Sequence, residues 1–555
     1  MTELLAIIVI GLVAIAAATV VAPRFGIASP IALLAIGVSA SFLPVFGEVE
    51  IDPEWILAGI LPPLLYSSAV SMPAMNFRRE FSAISGLSVL LVVGSALLLG
   101  VFFMLVIPDL GFAWGVALGA IVSPTDAVAT SIVKKTSVSQ RVVAMLDGES
   151  LLNDATALVL LRTAIVATAA SFSFWGAVGT FAYSVVVATV IGLIVGWVNL
   201  AVRKRLTDPT VNTLLSFTVP FIAAVPAEAL GASGLVAAVV AGLVTGIRAP
   251  RALSPQNRLS DSQNWRTVEL VLEGAVFLTM GLQVKTVVEN VERDHAGVGV
   301  AILIAAVALL LTVLMRAAYI APLLVILARG SRRAARMQPR LEDLQQKMTT
   351  DEGKREAFDD VRVPGRRVTE RSINRVTQRI TQGLADIAYF QREPLGWREG
   401  TAVVWAGMRG AVTVAAAQTL PIETPQRSML VLIAFAVAAL SLLVQGGTLG
   451  PLLRRIAPPV DPEALDARDT AELTEIMELL RSKSGEIPEP VVPEGATRIE
   501  QFRLAKDHRL AVLGAQRAAL LDARDNGTFD AEVLERELAN LDASEIAIEM
   551  RGKGR

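Results

Sequence analysis

Stretches of about twenty apolar residues recur along the first four-fifths of this 555-residue chain. Because a helix rises ~1.5 Å per residue, about twenty apolar residues cross the ~30 Å hydrocarbon core of a bilayer. Only 18% of the residues are charged, against about 25% in an ordinary soluble protein. We therefore predict an all-α polytopic membrane protein with about thirteen transmembrane helices. These predicted spans, numbered in chain order, lie near residues 3–22, 28–45, 54–72, 81–107, 112–134, 141–169, 174–202, 210–226, 230–248, 267–286, 297–328, 400–420 and 427–453.

The connections between these spans alternate in charge. Basic residues such as Arg78, Arg79, Lys134 and Lys135 occupy every second connection, and the others are acidic or neutral. The positive-inside rule then predicts a multi-pass protein of the cell inner (plasma) membrane, with its N-terminus outside and its C-terminus in the cytoplasm.

Two charged segments lie outside the spans. A cytoplasmic insert of about residues 329–399, interrupted at Pro364-Gly365, falls inside a transmembrane domain of residues 1–455. Residues 456–555 are predicted to form a cytoplasmic helical tail, in which apolar residues recur at intervals of three and four. That spacing is typical of an amphipathic helix that packs on a partner or on the tail itself.

The composition excludes several kinds of chemistry. There are no cysteines, and His295 and His508 both lie outside the apolar runs. Disulfides, thiolate metal sites, cysteine nucleophiles and a histidine-dependent triad in the membrane are therefore excluded. We expect no enzymatic activity, no cofactor and no nucleic-acid partner.

Carboxylates inside the apolar runs are the strongest functional signal. An ionisable group at mid-membrane depth costs at least ~2.5 kcal/mol against lipid, so it persists where it is paired or faces a cavity. Asp126 lies in the middle of span five, in GAIVSPTDAVAT, shortly after Pro124. Because proline obstructs a helix, we expect a break that exposes backbone carbonyls beside this carboxylate. The alternative is a kinked helix in which Asp126 pairs with a neighbour.

Asp154 is the second such carboxylate, in LDGESLLNDATALVLLR of span six. Ser150 and Asp154 are four residues apart and share a helix face, with Asn153 beside them. A short basic loop joins spans five and six into an antiparallel hairpin, so we expect Asp126 and Asp154 to face each other. These side chains, with the Thr125 carbonyl, would suit a monovalent metal cation, and protons would compete for the same site.

Three motifs, SPTDAVA, GESLLNDA and WAGMRGAV, occur in that order on spans five, six and twelve. Together they resemble the NhaP-type sodium/proton antiporters of cation:proton antiporter family one, over about residues 1–455. The insert and tail are similar to the bacterial subgroup of that family. The resemblance implies two inverted repeats of six spans around a linker span, with broken spans five and twelve crossing. It also implies a homodimer in the lipid bilayer that exchanges Na⁺ for H⁺ in cytoplasmic pH and sodium homeostasis.

The same resemblance implies roles for the polar residues of spans five and six. Asp154 would bind either the cation or the proton, and Asp126 would be its partner across the hairpin. Ser150 and Thr125 would complete the coordination of the metal ion. Asn153, where electrogenic relatives carry an aspartate, implies electroneutral 1:1 exchange.

Further residues would support this site. Glu149 would pair with Arg316 of span eleven, and Arg409 would lie at the break of span twelve. Glu273, near the inner end of span ten, resembles a family acid that anchors the helix of the site. Ser67 departs from the family pattern, because many members carry an acid after the LPPLLY stretch of span three.

Other readings of the sequence are a cation channel and an intramembrane protease. Two carboxylates in one chain beside broken helices favour a closed, alternating site over a continuous pore. The catalytic groups of an intramembrane protease are absent from the sequence. Among antiporters, the residues leave the cation open between Na⁺, Li⁺ and K⁺, including a K⁺-selective exchanger.

Overall fold

The computed structural model describes residues 2–43, 52–136, 138–169, 174–294, 297–348, 370–456, 462–493 and 495–551. The regular elements in these ranges are helices, as the apolar runs predict. In chain order the first are α1 Thr2–Val21, α2 Ser29–Ser41, α3 Leu61–Ser71, α4 Ala74–Ser85, α5 Val92–Val106, α6 Phe112–Val122, α7 Val128–Val133, α8 Gln140–Ala169, α9 Phe174–Arg203, α10 Pro209–Ala229 and α11 Gly234–Ala252. They are followed by α12 Pro255–Leu282, α13 Val284–Arg293, α14 Val298–Lys347, α15 Glu370–Arg392, α16 Trp397–Trp405, α17 Ala411–Gln418, α18 Arg427–Ser441, α19 Gly447–Ile456, α20 Pro462–Gly485, α21 Arg498–Asn526 and α22 Ala531–Met550. Three π-helical segments, Trp55–Ile60, Gly86–Leu91 and Leu442–Gly446, lie next to α3, between α4 and α5, and between α18 and α19.

Within the described ranges, nine helices are long and apolar enough to cross a membrane by length and composition. Three shorter apolar helices, Ser29–Ser41, Trp55–Ser71 and Phe112–Val122, fall on spans two, three and five. Span twelve corresponds to the short helices α16 and α17. Each apolar run therefore carries helix, while the figure of thirteen crossings stays a prediction.

Large apolar side chains are exposed on the outer faces of these helices, as expected for helices that contact lipid. Val13 of α1, Ile194 of α9 and Leu303 of α14 are about 60% exposed. An apolar surface spread over several helices is rare on a soluble monomer, and here it belongs to helices long enough to meet lipid.

The chain forms two compact units. The first comprises Met1–Ala252, Leu259–Leu324 and Leu395–Pro458, and the second comprises Leu253–Arg258, Val325–Pro394 and Pro459–Arg555. Helix α14 continues to Lys347, beyond the expected end of span eleven at residue 328. After Arg329 the sequence becomes polar but stays rich in arginine, alanine, leucine and glutamine, which favour helix in water as well. The interruption predicted at Pro364-Gly365 lies outside the described residues.

In the first unit, glycines bring α5 and α6 into backbone contact. A Cβ atom on Gly115 would lie 2.4 Å from the carbonyl oxygen of Gly100, and one on Gly119 would lie 2.4 Å from that of Ala96. Small residues allow this close approach between membrane helices. The packing fixes α6, which leads directly into the candidate site.

In the second unit, α20, α21 and α22 pack around a small apolar core that includes Ile476, Leu520 and Leu534. Helix α21, the amphipathic helix expected in the tail, therefore packs on its own neighbours. It begins with a capping box, in which the Thr497 hydroxyl oxygen accepts the Glu500 N–H and the Glu500 carboxylate accepts the Thr497 N–H. These hydrogen bonds lower the pKa of Glu500, so this cap weakens as the pH falls through that pKa.

Candidate ion-binding site

Two interrupted helices cross at the centre of the first unit. Helix α6 ends at Val122 and α7 begins at Val128, while α16 ends at Trp405 and α17 begins at Ala411. The first interruption contains Pro124, as the sequence predicts, and the second contains Arg409. The two segments are joined where the Asp126 N–H donates to the Met408 carbonyl at 2.7 Å.

Arg409 occupies the side of the crossing on which α6 and α16 end. The residue is 2% exposed, and its guanidinium donates from Nε to the Val122 carbonyl at 3.0 Å. It also donates to the Gly407 carbonyl, and its backbone N–H donates to Ser441 Oγ at 2.8 Å. The last carbonyls of a helix lack partners and carry partial negative charge. Arg409 therefore satisfies the last carbonyl of α6 and a carbonyl just after α16, and it neutralises the negative partial charge at these two ends.

Asp126 occupies the opposite side, where α7 and α17 begin. Its Oδ1 accepts the Val128 N–H at 2.9 Å, and the backbone N–H of Ala411 also donates to the carboxylate. The first N–H groups of a helix have no acceptor within the helix, and an anion such as a carboxylate can accept their hydrogen bonds. Gly410 leaves the necessary space, since a Cβ there would lie 1.4 Å from Asp126 Oδ2.

Glu149 and Arg316 form a buried ion pair beside the crossing. Both side chains are 2% exposed, and Arg316 binds both oxygens of Glu149, from Nη2 to Oε2 at 2.7 Å. Arg316 Nε donates to the Val403 carbonyl of α16 at 2.8 Å. The pair therefore ties α8 and α14 to the second interrupted helix, and its charges compensate each other.

Asn153 holds the interrupted first helix through Thr125. Asn153 Nδ2 donates to the Thr125 hydroxyl oxygen at 2.5 Å and to the Thr125 carbonyl at 3.3 Å. The Thr125 hydroxyl donates in turn to Glu149 Oε1 at 3.2 Å. The Asn153 Oδ1 acceptor is buried and has no partner in the described part of the chain. Thr125 is thus committed to this network, and one lone pair of its carbonyl oxygen stays available.

A cavity of about 110 Å³ brings Asp126 and Asp154 together. Thr125 and Ser150 also line it, with Glu273 of α12. This volume is well above the ~10–15 Å³ that a water molecule needs. Asp154 is 8% exposed, and no hydrogen bond reaches its carboxylate from any residue that the structure describes. The cavity therefore collects four of the expected ligand residues around one carboxylate without a protein partner.

Sequence reasoning missed Glu269, which also lines this cavity. It lies one helical turn before Glu273 on α12, and the i, i+4 spacing of the two acids was the signal that could have revealed it. Its Oε2 accepts the Ser67 hydroxyl, at 3.4 Å. Arg162, another ionisable residue of span six, instead pairs with Glu228 at 3.0 Å in an exposed position.

A second, larger cavity of about 750 Å³ lies beyond the C-terminal end of α12. Gln283 and Gln418 line it and join each other through a 2.6 Å hydrogen bond from Gln418 Nε2 to Gln283 Oε1. Helix α17 thus borders both cavities, whereas α12 borders the acidic one and ends at Leu282, just before Gln283. Since a helix rises ~1.5 Å per residue, Glu269 and Gln283 are separated by roughly 20 Å along α12.

Two interrupted helices that meet beside a carboxylate cavity, within a bundle of apolar helices, are typical of a membrane transporter. The family described as "Sodium/hydrogen exchanger, transmembrane" matches residues 10–342 and 375–455. The chain belongs to this sodium/hydrogen exchanger family, and it is therefore a transporter that exchanges monovalent cations and protons across a membrane.

Individual relatives agree with this assignment. The chain is 27% identical to an uncharacterized Na⁺/H⁺ exchanger of Mycobacterium tuberculosis, over 98% of this chain and 96% of the relative. It is 28% identical to a sodium, potassium, lithium and rubidium/H⁺ antiporter of Bacillus subtilis, over 48% of this chain and 41% of that protein. Its fold is similar to that of the sodium proton antiporter MjNhaP1 from Methanocaldococcus jannaschii, with a TM-score of 0.55 and 16% identity. That match covers 82% of this chain and all of the archaeal chain.

Proposed function

We propose that the protein binds one monovalent cation or one proton at Asp154 and carries whichever is bound across the membrane. The observation that carries this proposal is the shared cavity of Asp126 and Asp154, whose lining in the described residues contains no basic side chain. Asp126 is held by backbone donors, whereas the Asp154 carboxylate has no hydrogen-bond partner among the described residues. Asp154 is therefore the group that needs a positive charge, and Asp126, Ser150 and the Thr125 carbonyl are the oxygens placed to assist it.

The proposed stoichiometry is one cation for one proton. Asn153, next to Asp154, has no charge to lose, and the charges of Glu149 and Arg316 compensate each other. Among the carboxylates of the cavity, Asp126 is held by backbone N–H donors, and Asp154 is the one proposed to take up and release a proton in each cycle. Exchange would then be electroneutral. A steep dependence of the rate on a potential imposed with K⁺ and valinomycin in proteoliposomes would contradict it.

The two cavities support a mechanism of alternating access. The acidic cavity lies beside α12 and the large cavity lies beyond the C-terminal end of that helix, where the Gln283–Gln418 hydrogen bond borders it. In the predicted orientation, the acidic cavity serves the cytoplasm and the larger one the outside of the cell inner membrane. Exchange requires that the second path open as the first one closes.

Na⁺ is the proposed substrate, and K⁺ is the second candidate. The site offers carboxylate, hydroxyl and carbonyl oxygens, which are suitable ligands for any hard monovalent cation. The printed name of the Bacillus relative, which includes sodium and potassium, favours keeping K⁺ as a candidate. We further propose a homodimer that serves cytoplasmic pH and sodium homeostasis, on the support of the sequence resemblance.

Everted membrane vesicles provide the test of the function. Respiration establishes a proton gradient across the vesicle membrane, and the quenching of a pH-sensitive dye monitors that gradient. NaCl, LiCl and KCl are then added in turn. We expect dequenching with NaCl in wild type and none with Asp154→Asn. Because proton and cation compete, the apparent KM for Na⁺ should rise as the pH falls. Dequenching by Asp154→Asn equal to that of wild type would refute the proposed site.

A further inference from the structure

The acidic cavity contains more negative charge than the ion site itself requires. Its lining includes four carboxylates, Asp126, Asp154, Glu269 and Glu273, and no lysine or arginine among the described residues. The rest of the lining is mostly apolar. A cleft lined by one sign of charge with low-dielectric walls concentrates the opposite ion within it.

Glu269 lies farthest from the crossing along α12. It precedes Glu273 by one turn, about 6 Å along the axis, and the helix runs from there toward Gln283. Lys134, Asp147 and Arg266 are the charged groups close to Glu269 apart from Glu273. Lys134 is 53% exposed and binds Asp147 at 3.0 Å. Because the Lys134 side chain is exposed, we take this charged pair to indicate the end of the cavity that is nearest to water.

The carboxylate of Glu269 is held in place without being neutralised. The Ser67 hydroxyl of α3, itself buried, donates to Oε2 at 3.4 Å. No arginine or lysine in the described part of the chain forms an ion pair with Glu269. A neutral hydrogen bond fixes the orientation of a carboxylate and keeps its charge available to a cation.

We propose that Glu269 recruits the transported cation from water into the acidic cavity and so sets the apparent affinity of exchange. It acts through the electrostatic field at the mouth, whereas Asp126 and Asp154 hold the ion during transport. The inference rests on the proposed function, because it concerns the access path to that site. Glu269 is therefore a positioning residue, and its loss should change KM rather than the maximal rate.

The experiment compares Glu269→Gln, Glu269→Asp and the wild type in everted vesicles over a range of NaCl concentrations. We expect Glu269→Gln to raise the apparent KM for Na⁺ about three- to tenfold, because a whole charged cleft raises association rates by about 10- to 10³-fold and Glu269 is one of four carboxylates here. The maximal rate should change less than about twofold. Glu269→Asp keeps the charge and should stay close to the wild-type KM. Glu228→Gln, which removes a carboxylate from an exposed pair elsewhere, is the matched control and should leave KM unchanged.

Ionic strength separates an electrostatic role from a structural one. Choline chloride screens exposed charges, with a Debye length of ~10 Å at 0.1 M. It should therefore raise the wild-type KM for Na⁺ and affect Glu269→Gln much less. A loss of packing at Glu269 would lower the maximal rate of both variants and would not depend on choline.

The outcomes distinguish this inference from the proposed function. If wild type exchanges Na⁺ for H⁺ but Glu269→Gln keeps its KM, the recruiting role is refuted and the function stands. A fall in maximal rate with unchanged KM, or an equal rise in KM for Glu269→Asp, also refutes it. If wild type exchanges no cation at all, the proposed function fails before the variants are compared.

Discussion

Replacing Gly410 with alanine tests whether the crossing of the interrupted helices holds Asp126 in its working position. The added methyl group would lie 1.4 Å from Asp126 Oδ2 and 2.4 Å from its Cγ. Since carbon atoms in contact stay ~3.5 Å apart, the carboxylate would have to move by roughly 2 Å. Two hydrogen bonds hold Asp126 in place: its backbone N–H donates to the Met408 carbonyl, and its Oδ1 accepts the Val128 N–H. The methyl group must therefore break one of these hydrogen bonds or push the crossing segments apart.

The expected effect is large on exchange and moderate on stability. A misplacement of ~1 Å can reduce the rate of a positioned reaction about 100-fold, so we expect Gly410→Ala to lose at least that much Na⁺/H⁺ exchange. Overpacking typically costs about 1–3 kcal/mol, which leaves a folded protein to measure. Exchange is measured in proteoliposomes, and thermal unfolding is followed on the same purified preparation.

Gly299→Ala is the matched control for Gly410→Ala. Gly299 lies at the start of α14, and a Cβ there would meet no atom within 4 Å. Alanine in a helix is favoured over glycine by about 1 kcal/mol, so this control should exchange normally and be no less stable. Wild-type rate and cation affinity in Gly410→Ala would refute the reasoning from the crossing.

Three further changes test other parts of the structure. Glu149→Ala leaves a buried arginine unpaired, at a typical cost of about 3–5 kcal/mol, so its Tm should fall well below that of Asp154→Asn, which should be folded and inactive. Equal Tm values would contradict a structural ion pair. Cysteines at Gln283 and Gln418, in a chain with no native cysteine, should stop exchange when joined by a short bifunctional thiol reagent but not when capped by a monofunctional one. Full exchange after cross-linking would show that the segments carrying Gln283 and Gln418 need not separate during transport. A chain ending at Ile456 should insert and still exchange, with a shifted pH dependence, and an inserted but inactive protein would make the tail part of the transport mechanism.

The sequence was informative where one residue has a strong local effect. Pro124 predicts the interruption of span five because proline cannot continue a helical hydrogen-bond ladder, and the structure has no helix from residue 123 to 127. Asp126 and Asp154 could be paired from spacing alone, since a short loop makes adjacent spans antiparallel. The extension of α14 to Lys347 could not be predicted from hydropathy. Hydropathy indicates which segments prefer lipid, but it does not indicate how far a helix continues into water.

Contacts between residues far apart in the chain could not be predicted from the sequence. Arg409 could be recognised as a charge in an apolar span, but its acceptor, the Val122 carbonyl, is 287 residues away. The Gln283–Gln418 hydrogen bond spans 135 residues and involves two uncharged side chains with no motif around them. Such pairs depend on how the helices pack. A single sequence does not encode that packing in any local pattern.

The charges around the crossing also suggest why transport would be coupled. Arg409 is matched by the carbonyl ends of α6 and α16, and Arg316 is matched by Glu149, so these cations do not neutralise the cavity. The negative charge of Asp154 then has no positively charged counterpart in the part of the chain that the structure describes. Moving an uncompensated charge through a dry, low-dielectric barrier is costly, whereas a protonated or cation-bound carboxylate avoids that cost. In the proposed mechanism the site therefore changes sides only when it is loaded. Each cation carried one way must be followed by a proton carried the other way, and exchange results without any direct contact between the two ions.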